Sequence, residues 1–379
     1  SVTFGVGSQL TSIGEYAFSD CSNLMSIEIP AGVTSIGEYA FYGCSNLTSI
    51  EIPAGVTSIG YRVFYGCSSL TSVTFGVGSQ LTSIGEYAFY GCSNLTSIEI
   101  PAGVTSIGDN AFVLCGSLTS VTFGENSQLM SIGEYAFYIC SSLTSVTFGV
   151  DSQLTGIGSS AFYGCRNLMS ITIPAGVTNI GDDAFYDCYK LIEVYNQSAL
   201  PITVGSNEYG SVAYYAENVY TPQSEESKLI ETDDGFIFYQ DGETSYLLGY
   251  TGTAVDLVLP DSCNGKPYSI YQYAFYNHHT LQGITIPDSV ISIGDSAFEN
   301  CSRLTSIDIP NSVTSIGRYA FQYCDGLTSI TFENTTGWWR SFSGTATSGT
   351  GISSSSLANA STAATYLTDT YRNYYWKRT

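Results

Sequence analysis

Apolar positions recur along this chain in one layout, Phe-x-x-Cys-x-x-Leu followed by two alternating strand positions, Ile or Val and then most often Ile or Phe, with Ser, Thr, Gly and Tyr between them. Ten copies of Phe-x-x-Cys-x-x-Leu run from Phe18-Cys21-Leu24 to Phe321-Cys324-Leu327, at intervals of 23 or 25 residues wherever the run is unbroken. A fixed period of that length marks one supersecondary unit stacked many times, so the predicted fold is a mostly β repeat solenoid. Roughly 14 rungs about 4.8 Å apart would give a sheet on the order of 65 Å long.

The segment Cys44 to Phe64 shows the physics of one unit. Alternation turns Ile50 and Ile52 to one face and Ser49 and Glu51 to solvent. Pro53 has no N–H to donate and ends the strand. Val56 and Ile59 bring apolar side chains back toward the interior. The glycine four residues before each Phe predicts a tight turn that a Cβ would hinder. Phe64 then acts as a large core filler and Cys67 as a small one. No rung closes alone, so successive coils are expected to share one continuous hydrophobic interior. Two turn lengths alternate: Ile-Pro-Ala-Gly-Val is the shorter, as at Ile100 to Val104. Phe-Gly-x-x-Ser-Gln-Leu is longer by two residues, as at Phe75 to Leu81, Phe123 to Leu129 and Phe148 to Leu154.

Leu-Thr-Ser-Ile-x-Ile-Pro, Val-Thr-Ser-Ile-Gly and Ala-Phe-Tyr-Gly-Cys together resemble the BspA-like leucine-rich repeats of bacterial surface proteins, over about residues 1–195 and 255–333. The resemblance implies a leucine-rich-repeat superhelix with parallel strands. It further implies a bacterial protein, secreted or held at the cell surface, that serves adhesion and protein binding. Fold alone says less about function than about architecture.

The repeat breaks once and stops once. Residues 1–195 form a first repeat block. Over 196–254 the unit degenerates: Asn196 stands at an inward strand position, and Val219-Tyr220-Thr221-Pro222 reads as a weak strand before a loop at 223–227. Gly235 to Tyr239 and Thr244 to Leu248 flank Asp241-Gly242, which predicts an inserted β-hairpin. A second block covers 255–333, with Cys263 in a longer turn and His278 at a Cys position. Residues 334–379 hold Trp338, Trp339 and Trp376 and read as a C-terminal cap over the last rung. The alternative for these aromatics is a platform for sugar contact.

Composition narrows the function. With 11 Lys+Arg against 33 Asp+Glu the net charge is −22, which leaves nothing to neutralise nucleic-acid phosphates or an anionic membrane. No apolar run is long enough for a transmembrane helix, so membrane insertion is not expected. The chain opens inside a repeat, so any signal peptide is expected upstream of it. Leu200-Pro201-Ile202-Thr203-Val204 falls short of a sortase signal by its final Gly and reads as coincidence.

Candidate chemistry is sparse. Cys21, Cys44, Cys67, Cys92, Cys115, Cys140, Cys165, Cys188, Cys301 and Cys324 share one repeat position, so they are expected as a buried file of free thiols and not as a metal cluster. Parallel, in-register Cβ vectors suit disulfide geometry poorly. His278 and His279 are the only histidines and lack motif neighbours, so no catalytic residue is assigned. Asp233, Asp234, Asp241 and Glu243 lack EF-hand or RTX spacing and read as solvated turn acids. No cofactor or metal is expected. Asn46-Leu47-Thr48 and Asn94-Leu95-Thr96 match glycosylation sequons that arise from the repeat itself.

Two solvent-facing files remain as candidate binding surfaces. One runs along the strands and holds Glu28, Glu51, Glu99, Tyr195 and Asp308, with Glu193 in the neighbouring serine file. The other follows the core Phe: Tyr42, Tyr65, Tyr90, Tyr138, Tyr163 and Tyr186. Tyrosine files give contact area at low entropy cost, although Thr and Tyr also favour plain cross-strand packing. The functional expectation is a non-enzymatic surface protein mediating adhesion or protein–protein interaction. The alternatives are a polysaccharide-binding module using tyrosine and tryptophan surfaces, or an architectural spacer. Acids and tyrosines would suit a basic or polar partner; neither its identity nor the oligomeric state follows from the sequence.

Overall fold

A computed structural model describes residues 1–149, 151–221 and 226–379. The chain divides into two compact units, residues 1–225 and 226–379. In the first unit most rungs contribute two strands, one to each of two parallel series whose pairing is interrupted in places. The longer strands are those expected: Ser49–Ile52, Ser72–Phe75, Ser97–Ile100 and Ser120–Phe123 stand in register, Ile50 beside Val73 and Ile98 beside Val121. The other ladder joins the Ser-Ile pairs, such as Ser58–Ile59, Ser83–Ile84 and Ser106–Ile107. Each isoleucine of these short strands is buried and each serine faces outward or lies half-buried, a second sheet where the sequence indicated only an inward-turning corner.

The third side of each rung, from the glycine to the Leu, is a run of tight turns. Cys44 N–H donates to Phe41 C=O and Leu47 N–H to Cys44 C=O, while Phe41 and Gly43 donate to Val63 and Tyr65 of the next rung. This path needs left-handed backbone at two positions per rung, for example Tyr39 (φ 55°) and Gly43 (φ 67°). The repeated glycine precedes the turns at a place where a Cβ is hindered, as its spacing indicated, and the obstacle is the backbone of the preceding rung. It does not adopt positive φ; it lets the rungs approach. A Cβ on Gly108 would lie 2.7 Å from the backbone N of Glu86, and one on Gly181 would collide with the backbone N of Ser159.

Phe41, Phe64, Phe89, Phe112, Phe137, Phe162 and Phe185 are fully buried and stack in one column, neighbouring centroids 5.0–5.4 Å apart. Beside them the thiols form the expected file. Each Sγ from Cys44 to Cys188 donates to the Phe carbonyl of the preceding rung at 3.1–3.3 Å. All eleven cysteines are free, but Cys21, on the first rung of this chain, is exposed and not part of the buried file.

Among the described residues the core forms two clusters, one in each unit, where a single interior was expected. The first column ends because Gly210 stands in the alanine place, where its carbonyl accepts the Phe185 N–H, and the buried Ser211 follows where the next Phe would be. Asn218–Tyr220 still pairs in parallel with Glu193–Asn196, so the weak strand is real over those residues. Pro222 and residues 223–225 of the expected loop lie outside the described residues, as does residue 150 within the long turn of residues 148–154.

In the second unit the hairpin strands are Phe236–Asp241 and Thr244–Tyr250. Their turn is Gly242-Glu243, one residue later than the Asp-Gly pair indicated; only Gly242 has positive φ (58°), as a type II′ turn requires. The hairpin is no side insertion, since its second strand pairs in parallel with Tyr268–Ile270 and so opens the ladder of this unit. At the other end Tyr375–Arg378 pairs antiparallel with Ser315–Ile316 and with Trp338–Ser341, closing the ladder as a cap. Trp376 is fully buried, and Trp338 and Trp339 are nearly so, which removes the tryptophans as a sugar platform.

Candidate functional site

Strand alternation places Glu28, Glu51 and Glu99 outward on the first unit, Glu51 beside Thr74 and Glu99 beside Thr122. Asp308 is also exposed, beside Thr331, but belongs to the second unit. Glu193 departs from expectation. It is fully buried, and its carboxylate accepts the Tyr195 hydroxyl at 3.1 Å. Tyr195 itself stacks on Tyr220 (5.0 Å) and is half-buried. This pair is therefore an internal polar contact near the end of the ladder, not part of an outward surface. Lys190 lies buried close by in sequence and donates to Asn167 at 3.0 Å, and burial pulls its ammonium down to about 8.

The tyrosines after the core Phe do form a file. Tyr42, Tyr65 and Tyr90 stack at 5.0 and 4.6 Å with interplanar angles of 13° and 2°; Tyr138, Tyr163 and Tyr186 stack at 5.0 and 5.6 Å. Val113 takes the intervening place and divides the two runs. The rings spend their faces on one another and present edges and hydroxyls outward. Burial pushes the Tyr65 phenol up, the neighbouring Tyr90 and Tyr42 add to this, and Arg62 opposes it.

A second tyrosine file escaped the sequence reading because its members sit between Glu and Ala-Phe and look like polar spacers. Tyr16 stacks on Tyr39 (4.6 Å), and Tyr39 and Tyr87 lean on Tyr42 and Tyr90 of the first file (5.8 Å each). Arg62 replaces tyrosine in this file. Its guanidinium carbon lies 4.9, 5.3 and 4.8 Å from the rings of Tyr61, Tyr65 and Tyr87. Its Nε is buried without a hydrogen-bond partner among the described residues, so aromatic rings surround the cation in place of an acid. The residue before each of these tyrosines is usually an exposed carboxylate, as at Glu15, Glu38, Glu86 and Glu134. The corner is thus a ridge of phenol edges bordered by carboxylates, chemistry suited to accepting hydrogen bonds and cations.

Nothing in the two remaining chemical candidates converges. His278 Nδ1 lies 3.3 Å from the Thr280 hydroxyl, and its ring is near Phe275 and Tyr250. Glu243 pairs with Lys266 at 2.8 Å and not with the other hairpin acids. Among the described residues no group of three or more His, Cys, Asp or Glu could hold a metal ion, and no helix is long and apolar enough to cross a membrane.

Residues 2–79, 75–192 and 256–364 match the family described as the BspA type leucine rich repeat region, in six copies. A leucine-rich repeat protein from Bacteroides ovatus is 28% identical over 87% of this chain and 80% of its own, with a TM-score of 0.39. A leucine rich cell surface protein from Faecalibacterium prausnitzii is 26% identical over 87% of this chain and 79% of its own, with a TM-score of 0.36. A leucine rich repeat protein of T. pallidum is 29% identical over 44% of this chain and 77% of its own, with a TM-score of 0.39. No match is found among curated proteins.

Proposed function

This chain belongs to the BspA-type leucine-rich repeat family, and from that premise we propose that it is a non-enzymatic protein of the bacterial surface or secreted space that binds another protein. The observation that carries this reading is the corner of the first unit, where two tyrosine files run beside a row of carboxylates. Ring edges and hydroxyls held in place by stacking add contact area with little ordering cost. The carboxylates select a basic or polar partner and repel acidic ones.

The polysaccharide reading has less support. A pyranose ring packs on an exposed aromatic face; the tyrosine faces are occupied by neighbouring rings and the tryptophans are buried. The test is a comparison of the chain with a variant carrying Tyr42→Thr, Tyr65→Thr and Tyr90→Thr, against matrix proteins and a glycan array. The reading expects a protein ligand bound by the chain and lost in the variant. A ligand confined to the glycans, or protein binding unchanged in the variant, rejects it.

A further inference from the structure

Two clefts in the first unit are built from the same residue types in the same order. Phe75-Gly76-Val77-Gly78-Ser79 faces Glu99-Ile100-Pro101-Ala102-Gly103 across a cavity of about 500 Å³. Phe4-Gly5-Val6-Gly7-Ser8 faces Glu28-Ile29-Pro30-Ala31-Gly32 across one of about 350 Å³. Their origin is the alternation of turn lengths. Where a short turn precedes a long one, the strands pair along four residues, as for Ser49–Ile52 with Ser72–Phe75. Where a long turn precedes a short one the ladder opens: Ser72–Phe75 keeps only the Ser72–Ser97 pair with the next strand, and the first rung keeps only the Val2–Ile27 bridge. The long turn overhangs the gap, with Val77 and Val6 fully exposed at its lip.

The chemistry of both clefts is the same. A half-buried Phe ring, a proline ring and an alanine methyl form apolar walls, a single exposed carboxylate stands at the mouth, and no basic side chain lines either one. An aliphatic stem ending in an ammonium group satisfies all of these features, the stem against the walls and the cation beside carboxylate and ring. Arg62, Arg166 and Lys190 are the only basic residues of the whole unit, so such a cation meets a strongly acidic surface.

The clefts lie three rungs apart, about 14 Å at about 4.8 Å per rung. An extended peptide rises about 3.4 Å per residue and returns its side chains to the same face at every second residue, so positions i and i+4 lie about 14 Å apart on one face. We propose that the two clefts receive the lysine side chains at positions i and i+4 of an extended basic segment of a protein partner. The proposal rests on the partner being a protein but not on the tyrosine corner.

The test uses the full chain and fluorescent five-residue threonine peptides with lysine at positions one and five, or one and four, and a version with norleucine in place of lysine. The one-and-five peptide is expected to bind about tenfold more tightly than the one-and-four peptide, because the second cleft is then reached intramolecularly. Glu28→Gln or Glu99→Gln should each erase that ratio. Glu51→Gln, in the same exposed file but lining neither cleft, should preserve it, which separates cleft binding from general attraction to an acidic sheet. Equal affinity for both spacings overturns the proposal, as does norleucine binding as well as lysine, loss of the ratio in Glu51→Gln, or no binding at millimolar peptide. The triple Tyr→Thr variant should keep the ratio, so failure of the clefts and failure of the corner are read separately.

Discussion

Replacing Phe137 by Ala tests the stacked interior at its most regular point. Phe137 is fully buried, its ring nearly parallel to Phe112 at 5.0 Å and to Phe162 at 5.1 Å. Loss of the ring should cost about 3–5 kcal/mol, the sum of lost transfer energy and residual cavity. Phe185 provides an internal control. It is equally buried but stacks on Phe162 alone, at 5.1 Å, with Ser211 at the next position of the column. The transfer contribution is common to both substitutions, so Phe137→Ala should be the more destabilising by about one ring pair, roughly 0.5–1.5 kcal/mol. The three tryptophans all lie in the second unit, so the first unit must be followed by far-ultraviolet circular dichroism during urea denaturation. Amide exchange should show the damage greatest in the rungs next to residue 137, since each rung supports only its neighbours. A cost below about 1 kcal/mol, or a larger one for Phe185→Ala, would refute the stacked-column account.

Glycine substitutions should split by rung. Gly108→Ala places a Cβ 2.7 Å from the Glu86 backbone and should cost about 1–3 kcal/mol, whereas Gly60→Ala meets only side-chain atoms, of Glu38 at 3.6 Å and Val63 at 3.9 Å, and should change the melting temperature little. Thiol reagent at pH 8 should modify Cys21 in the folded chain and reach the buried file only after unfolding. Burial pushes the Cys44 thiol from its ordinary value near 9 to about 12. A thiol raised in the folded state binds its proton more tightly there, so its contribution is complete below pH 9 and is lost as pH rises toward 12. Urea midpoints should therefore fall between pH 9 and 12, and less steeply in Cys44→Ala; a flat profile would exclude the linkage. Arg62→Gln removes a cation from among tyrosine rings and should cost about 1 kcal/mol with little dependence on salt; no change in urea midpoint would show that the rings do not hold it.

Much of this architecture is legible in the sequence because each interior position repeats its residue type. Phe, Cys and Leu at fixed offsets disclosed the core column, and Gly242 between alternating strands disclosed the hairpin. The second ladder was hidden because its strands are two residues long, so a single buried isoleucine such as Ile59 carries no alternation. The glycines at 37, 108 and 133 mark a close approach to the backbone of the preceding rung, a contact 23 or 25 residues away that no local pattern encodes. Glu193 looked exposed by register, since it pairs with Ser170, yet the Tyr195 hydroxyl and the surrounding ladder end enclose it. The second tyrosine file and the role of Arg62 depend on rings meeting across rungs, and the clefts depend on which turn length follows which. Both are properties of neighbouring coils, and one coil read alone does not contain them.

Residue-resolved hydrogen exchange tests the stacked-coil account most directly. Slow exchange is expected at amides that donate across rungs, such as Phe64, Gly66, Thr82 and Gly85, and again one period later at Phe89, Gly91, Thr105 and Gly108. Fast exchange is expected at the tip of the long turn, around Val77. Protection running evenly through successive residues, or lacking the 23- and 25-residue recurrence, would contradict it.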